Sequence, residues 1–184
     1  MADSPVSIHK PGTMAQAAVA ATAPEGMLIA PIWKRIVALA LDMFLLTLIL
    51  ALFTKNLFFV YVFSIYSLIT PQAPYVIGSW IVLLGFYWLY FKYTGRQYGR
   101  SLGQRAMRIA IVHDDGSLLG INHWGRRAAY KLRYIIPIFG QLWGLWDVFM
   151  IWRHETKRSP VDLANHTVAA VDWSLPVNTR NGLR

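Results

Sequence analysis

Long apolar runs separated by short clusters of charge dominate the chain after a first segment, residues 1–30, that is rich in Pro, Gly and Ala. From Ile36 to Thr54 there are 19 residues carrying one charge, Asp42. A helix of that length, at about 1.5 Å per residue, matches a hydrocarbon core of about 30 Å. Pro31 suits a helix start, Trp33 a headgroup interface and Lys34-Arg35 the cytoplasmic edge, so a first transmembrane helix is predicted over about 32–54. The next apolar run, Leu57–Thr70, has 14 residues and is closed by Pro71-Gln72-Ala73-Pro74. It is short for a span and fits an interfacial or re-entrant segment. A second transmembrane helix is predicted over about 76–93, where 16 uncharged residues precede Lys92.

Residues 99–120 have a soluble character. Arg108–His113 has strand propensity, and Asp114-Asp115-Gly116 is a turn signal before Ser117-Leu118-Leu119, which together predict a small cytoplasmic β-hairpin. Thr167–Val171 has the same flavour and is expected to add a third strand, since an isolated hairpin is only marginally stable. The last apolar run, Tyr134–Trp152, is flanked by basic residues on both sides and broken by Pro137, Gly140 and Gly144. It reads as a basic amphipathic helix followed by a re-entrant or shallow hairpin turning near 137–140. A third full span, with Asp162 and the tail outside, is the alternative. The expected fold class is thus an all-α polytopic membrane protein with two to three transmembrane helices, a re-entrant or interfacial C-terminal hydrophobic segment and a small cytoplasmic β-hairpin. Residues 1–30 are expected as a flexible cytoplasmic tail, 31–172 as the membrane domain and 173–184 as a C-terminal tail.

Composition agrees. Hydrophobic residues make up 55% of the 184 and charged residues 15%, more apolar than a soluble domain of this size. Three basic residues precede Ile36, one (Lys55) lies between Ile36 and Phe91, and fourteen follow from Lys92 onward. The positive-inside rule then puts the N-terminus and everything after Lys92 in the cytoplasm. The net charge of +9 would suggest nucleic acid in a soluble protein, but here the basic residues flank apolar runs. That favours contact with anionic lipid headgroups over a nucleic-acid partner. The late onset of the first apolar run speaks against a signal peptide, and the absence of Cys excludes disulfides.

Intramembrane charges are the candidate chemistry. Asp42 and Asp147 lie in apolar runs, where an ionisable group costs on the order of 2.5–3.5 kcal/mol and usually faces protein or water. Arg35, Ala38 and Asp42 fall on nearly one helical face, about 10 Å from end to end. They predict a docking stripe for the Asp147 segment, with two carboxylates beside one guanidinium and a surplus negative charge. An ion or proton pathway and an internal ion pair that fixes packing both fit. Gly99-Arg100-Ser101-Leu102-Gly103-Gln104-Arg105 reads first as a helix cap at Ser101 with anchoring charges, and second as a site for a lipid phosphate or other anion. The scattered His residues show no metal spacing, no cofactor motif is present, and no constellation points to an enzyme.

Arg35-x-x-Ala38-x-x-x-Asp42, the Gly99–Arg105 motif, Arg127, Asp147 and a final Asp162-Leu163-Ala164-Asn165-His166-Thr167-Val168 resemble, in order and spacing, the RDD family of bacterial membrane proteins. The resemblance covers about residues 31–172. Arg35 and Asp42 look like the first two of the residues that name the family, and Asp147 like its second aspartate. This chain departs from the family pattern by Val161 before Asp162 and His166 before Thr167. The resemblance implies a bacterial plasma (inner) membrane location and a poorly defined role. Transport of an unidentified ligand is considered for the family, and sodium/proton antiport for some members. Expected function is therefore transport of a cation, proton or small ligand through Arg35, Asp42 and Asp147, which in so small a chain calls for a homo-oligomer or a membrane complex. A non-transporting accessory or scaffold subunit is the competing expectation.

Overall fold

The computed structural model describes residues 26–54, 69–136, 138–154 and 156–183. Two long apolar helices, α1 (Ile32–Thr54) and α2 (Ala73–Tyr98), are each long and apolar enough to cross a membrane. Each buries one narrow stripe. On α1 it is Ala38, Asp42, Leu46 and Leu50, spaced by four, which the 3.6-residue period keeps on one face. On α2 it is Val76, Leu83, Tyr87, Phe91 and Gly95. Many of the other apolar side chains point outward, with Phe44 68%, Leu52 72% and Phe53 84% exposed. Such a surface would be an aggregation patch in water and is the ordinary outer face of a helix in lipid. Leu46 and Leu50 meet Leu83, Tyr87 and Phe91, and the Tyr87 hydroxyl pairs with that of Thr47 at 3.0 Å.

Helix α2 runs five residues beyond its expected end at Tyr93. Nothing at the lipid boundary stops a helix; Gly99 does, in the left-handed conformation at φ 67°, with its N–H on the Gly95 carbonyl at 2.8 Å. A short helix α3 (Leu102–Ala106) follows, opened by a capping box between Ser101 and Gln104.

Strand β1 (Ile109–His113) does not form the expected hairpin. The turn at Asp114–Gly116 is present, with the His113 N–H on the Ser117 carbonyl at 2.9 Å, but the returning arm makes one bridge, Val112 to Leu118. Only Ser117–Leu119 are available before Gly120 begins the next helix. The full partner is β2 (Thr167–Val171), antiparallel, with Ile111 opposite Ala169. Sequence expectation had given that segment the lesser role of a third strand. Residues 28–30, expected as tail, line the far edge of β2: the Ala30 N–H donates to the Ala169 carbonyl and the Val171 N–H to the Leu28 carbonyl. Both faces of the sheet are covered. Ile109, Ile111, Ala169 and Val171 pack with Ala38 and Trp124, while Ala110, Val112 and Ala170 pack with Leu175 and Leu183. The segment expected as a C-terminal tail therefore folds back, through a 3-10 turn (Asp172–Ser174) and helix α7 (Val177–Gly182), onto this second face.

Helix α4 (Ile121–Leu132) packs along α2, where Gly95 admits the Trp124 ring so closely that a Cβ there would sit 2.0 Å from it. A 3-10 turn (Arg133–Ile135) leads to helix α5 (Phe139–Arg153), and the α4 and α5 axes meet at 118°. Gly140 makes the elbow possible, because a Cβ would sit 2.5 Å from the Tyr134 carbonyl oxygen. Helix α6 (Pro160–Ala164), capped by Ser159, connects to β2. The chain is thus mostly helical with two or three candidate spans, the third being the bent α4–α5 pair, and a small two-stranded sheet. The re-entrant segment expected over Leu57–Thr70 lies almost wholly outside the described residues, as do residues 1–25 of the N-terminal tail and Pro137.

Candidate functional site

Asp42 lies on the buried stripe of α1, and the motif after α2 closes over it. Its carboxylate accepts from the Tyr90 hydroxyl at 2.6 Å, from the Gly103 N–H at 2.7 Å and from the Ser101 hydroxyl. The Leu102 N–H donates to the Tyr90 oxygen at 3.1 Å, which orients that hydroxyl toward Asp42. The N-terminus of α3 and the carboxylate thus satisfy one another. Gly103 is required by proximity: a Cβ would lie 2.0 Å from the Ala38 carbonyl oxygen and 2.9 Å from Asp42 Cγ. This matches the cap reading of the motif. In its second reading, an anion cradle, the Ser101 and Gly103 donors are already occupied by Asp42.

Arg35 does not reach Asp42. Its guanidinium turns toward the sheet, donating to the Ala30 carbonyl at 3.0 Å and the Ala169 carbonyl at 3.3 Å and pairing with Asp162 at 3.3 Å. Arg127 pairs with the other Asp162 oxygen at 2.8 Å and donates to the Thr167 hydroxyl. Asp162 is 2% exposed and also accepts the Ser159 N–H at 3.3 Å, as part of the cap of α6. Burial by itself would push its carboxyl up, but the Arg127 and Arg35 guanidiniums outweigh that and hold it below the usual carboxylate range. Arg158 extends the cluster, donating to the Thr167 carbonyl at 3.2 Å and pairing with Asp114. Arg35, Arg127, Asp162 and Thr167 therefore form one ion-pair network that ties α1, α4, α6 and β2 together.

Asp147, on α5, pairs with Arg133 and accepts from the Tyr134 hydroxyl, both from the elbow. All of this falls on its Oδ2. Its Oδ1 is buried with no hydrogen-bond partner among the described residues. The expected stripe, with Asp147 docked against Arg35 and Asp42, is corrected accordingly: each of the three charges has its own partners, and the two carboxylates do not share one guanidinium.

The three nevertheless border one cavity of about 140 Å³, between α1 and the α4–α5 elbow. Its wall carries Arg35, Arg127 and Lys131 against Asp42, Asp147 and Asp162. The surplus negative charge expected from two carboxylates and one Arg is thus removed by cations from α4. Sequence reading missed Lys131, Tyr90, Arg133 and Tyr134. One signal was available, since Arg127 and Lys131 are four apart and share a helical face, whereas α4 read as a helix whose basic side faces solvent and headgroups. Gly99 serves the α2 cap, and Arg105 lies exposed at the end of α3.

The fold and buried charges define a small polytopic helical membrane protein. A scan against family models matches residues 29–166 to the RDD family, and the chain belongs to that family, as its motifs implied. No curated protein matches the chain, and no solved structure does.

Proposed function

We propose that the chain moves a proton, a cation or a small cationic ligand through the cavity between α1 and the α4–α5 elbow, with Asp147 as the exchanging carboxylate. The supporting observation is that Asp147, whose Oδ1 is buried with no hydrogen-bond partner among the described residues, is one of the residues that border a charged cavity. A buried acceptor left unmade costs about 1–3 kcal/mol, which a proton, water or cation from the cavity would recover. Asp42, in contrast, has three donors and acts as a structural anchor in this reading. In the bacterial plasma membrane, both termini and the sheet face the cytoplasm, and the elbow re-enters from that side, so that the basic ends of α4 and α5 share one interface. A homo-oligomer would enclose the pathway, and no covalent chemistry is assigned.

The test is flux in proteoliposomes under an imposed proton gradient with Na⁺ or K⁺ on the opposite side. Wild-type protein is expected to dissipate the gradient in a cation-dependent way, and Asp147→Asn to abolish this at unchanged folded yield. Absence of flux in folded wild-type protein, or full flux in Asp147→Asn, overturns the assignment. A non-transporting accessory subunit is the second reading. It draws on the complete pairing of Arg35, Asp42 and Asp162, a set built to hold helices in place.

A further inference from the structure

A second concavity lies on the other side of the elbow, and its chemistry differs from that of the charged cavity. It is an open groove of about 650 Å³, in the size range of about 300–1,000 Å³ that small-molecule sites occupy. One wall is a stripe of α4 and its 3-10 extension: Arg126, Ala129, Tyr130 and Arg133, at the i, i+3, i+4, i+7 spacing of a single helical face. The facing wall is Trp143 of α5, with Ala164 and Asn165 at the end of α6 closing one side.

Among the described residues, no acidic side chain lines the groove. Arg126 is exposed and has no ion pair among the described residues, and Arg133, although its Nη2 pairs with Asp147, has a buried Nε without a partner. Along α4 and its 3-10 extension the two arginines are separated by two turns, about 10 Å. The groove opens beside an apolar surface: Leu142, Leu145 and Trp146 of α5 are 58%, 68% and 57% exposed. A helix so apolar on its outer side sits in the headgroup and acyl boundary, where Trp and Tyr are favoured and where phosphate is the abundant anion. One guanidinium without an ion pair, a second shared with Asp147, two aromatic rings and an adjoining acyl-compatible face are complementary to one class of molecule.

We infer that the groove between α4 and α5 is a binding site for the phosphodiester headgroup of an anionic membrane phospholipid. Arg126 contacts the phosphate, with the part-exposed Arg133 side chain beside it, Tyr130 and Trp143 flank the headgroup, and the acyl chains lie along Leu142, Leu145 and Trp146. Positioned there, the lipid counters positive charge at the elbow that Asp147 leaves unbalanced and fixes the angle between the two helices. The site goes beyond the transport reading and stands without it, since binding and flux are measured separately.

The experiment is native mass spectrometry of the full chain released from nanodiscs of phosphatidylcholine containing one part in five phosphatidylglycerol. Wild-type protein is expected to retain phosphatidylglycerol at least tenfold over phosphatidylcholine. Arg126→Gln is expected to lower that retention about tenfold, Arg126→Lys to restore part of it, and Trp143→Ala to reduce it. Arg105→Gln, which removes the same charge from an exposed position outside the groove, is expected to leave retention unchanged. Equal loss with Arg105→Gln and Arg126→Gln would mean unspecific charge attraction and overturns the site. So does equal retention of the two lipids. Glycerol phosphate added to lipid-free detergent samples separates a free phosphate site from a lipid site: adducts lost with Arg126→Gln there, without selective lipid retention, overturn the lipid assignment.

Discussion

Asp42 shows how a carboxylate is kept inside an apolar helix: Tyr90, Ser101 and Gly103 surround it with donors and offset a membrane penalty on the order of 2.5–3.5 kcal/mol. The arrangement depends on a missing methyl group. Gly103→Ala is expected to push α3 off α1 and cost about 1–3 kcal/mol, read as a lowered thermal midpoint in detergent, because the obstacle is backbone. Gly85→Ala, with open space around it, is the matched control and should leave the midpoint in place. Asp162 supports a second prediction. Removing its charge leaves Arg35 and Arg127 unpaired in a buried site, so Asp162→Asn should cost about 3–5 kcal/mol at neutral pH. Its carboxyl is held below the usual range when folded, so the ionised form carries the stabilisation. That contribution is complete above the unfolded value near 4 and is lost as pH falls below it toward the folded value. Wild-type stability should therefore decline on acidification through this window more steeply than that of Asp162→Asn. Parallel acid limbs for the two proteins would show that the pairing does not govern acid sensitivity. At this scale the sequence exposed Asp42, Asp147 and the Ser101 cap, because charge in an apolar run and a Ser-x-x-Gln spacing are local signals. Their partners were not legible. Arg35 pairs with Asp162 across 127 residues, and no local pattern states which of several arginines reaches a given carboxylate.

Among the elements, both long helices were legible from length and apolarity alone, while the sheet was only half legible. β1 and the turn after it follow from β-branched residues and Asp-Asp-Gly, but strand pairing is decided by which segment offers a full set of backbone groups. Thr167–Val171 offers five residues opposite β1, and Ser117–Leu119 offers one bridge. The register provides a direct test in a chain with no native cysteine. Val112→Cys with Val168→Cys, directly opposed, should form a disulfide on mild oxidation, whereas Val112→Cys with Ala170→Cys, two residues out of register, should not. Cross-linking of the second pair in preference to the first would refute the register. The elbow between α4 and α5 had a visible cause in its glycines and basic flanks. Its angle did not, because it depends on Gly140 lying against the Tyr134 carbonyl.

For the whole molecule, orientation is the property that cysteine labelling settles. Single cysteines at Ile69 and at Val177, 81% and 58% exposed, should react with a membrane-impermeant maleimide from opposite sides of the membrane, Ile69 from outside and Val177 from the cytoplasm. Labelling of both from the same side would overturn the proposed topology. Membrane residence, the positions of two spans, RDD membership and the charges that stand within apolar runs were determined by the sequence itself, because each depends on composition, length or motif order along the chain. Tertiary structure alone decided that Arg35 and Asp42 serve separate networks, that α4 turns Arg127 and Lys131 inward to border the cavity, and that Asp147, with one oxygen unpartnered among the described residues, borders it too. These are relations between groups far apart in the chain, set by close approach at glycines and by where buried charges find opposite partners, and no window of sequence contains both halves of such a relation.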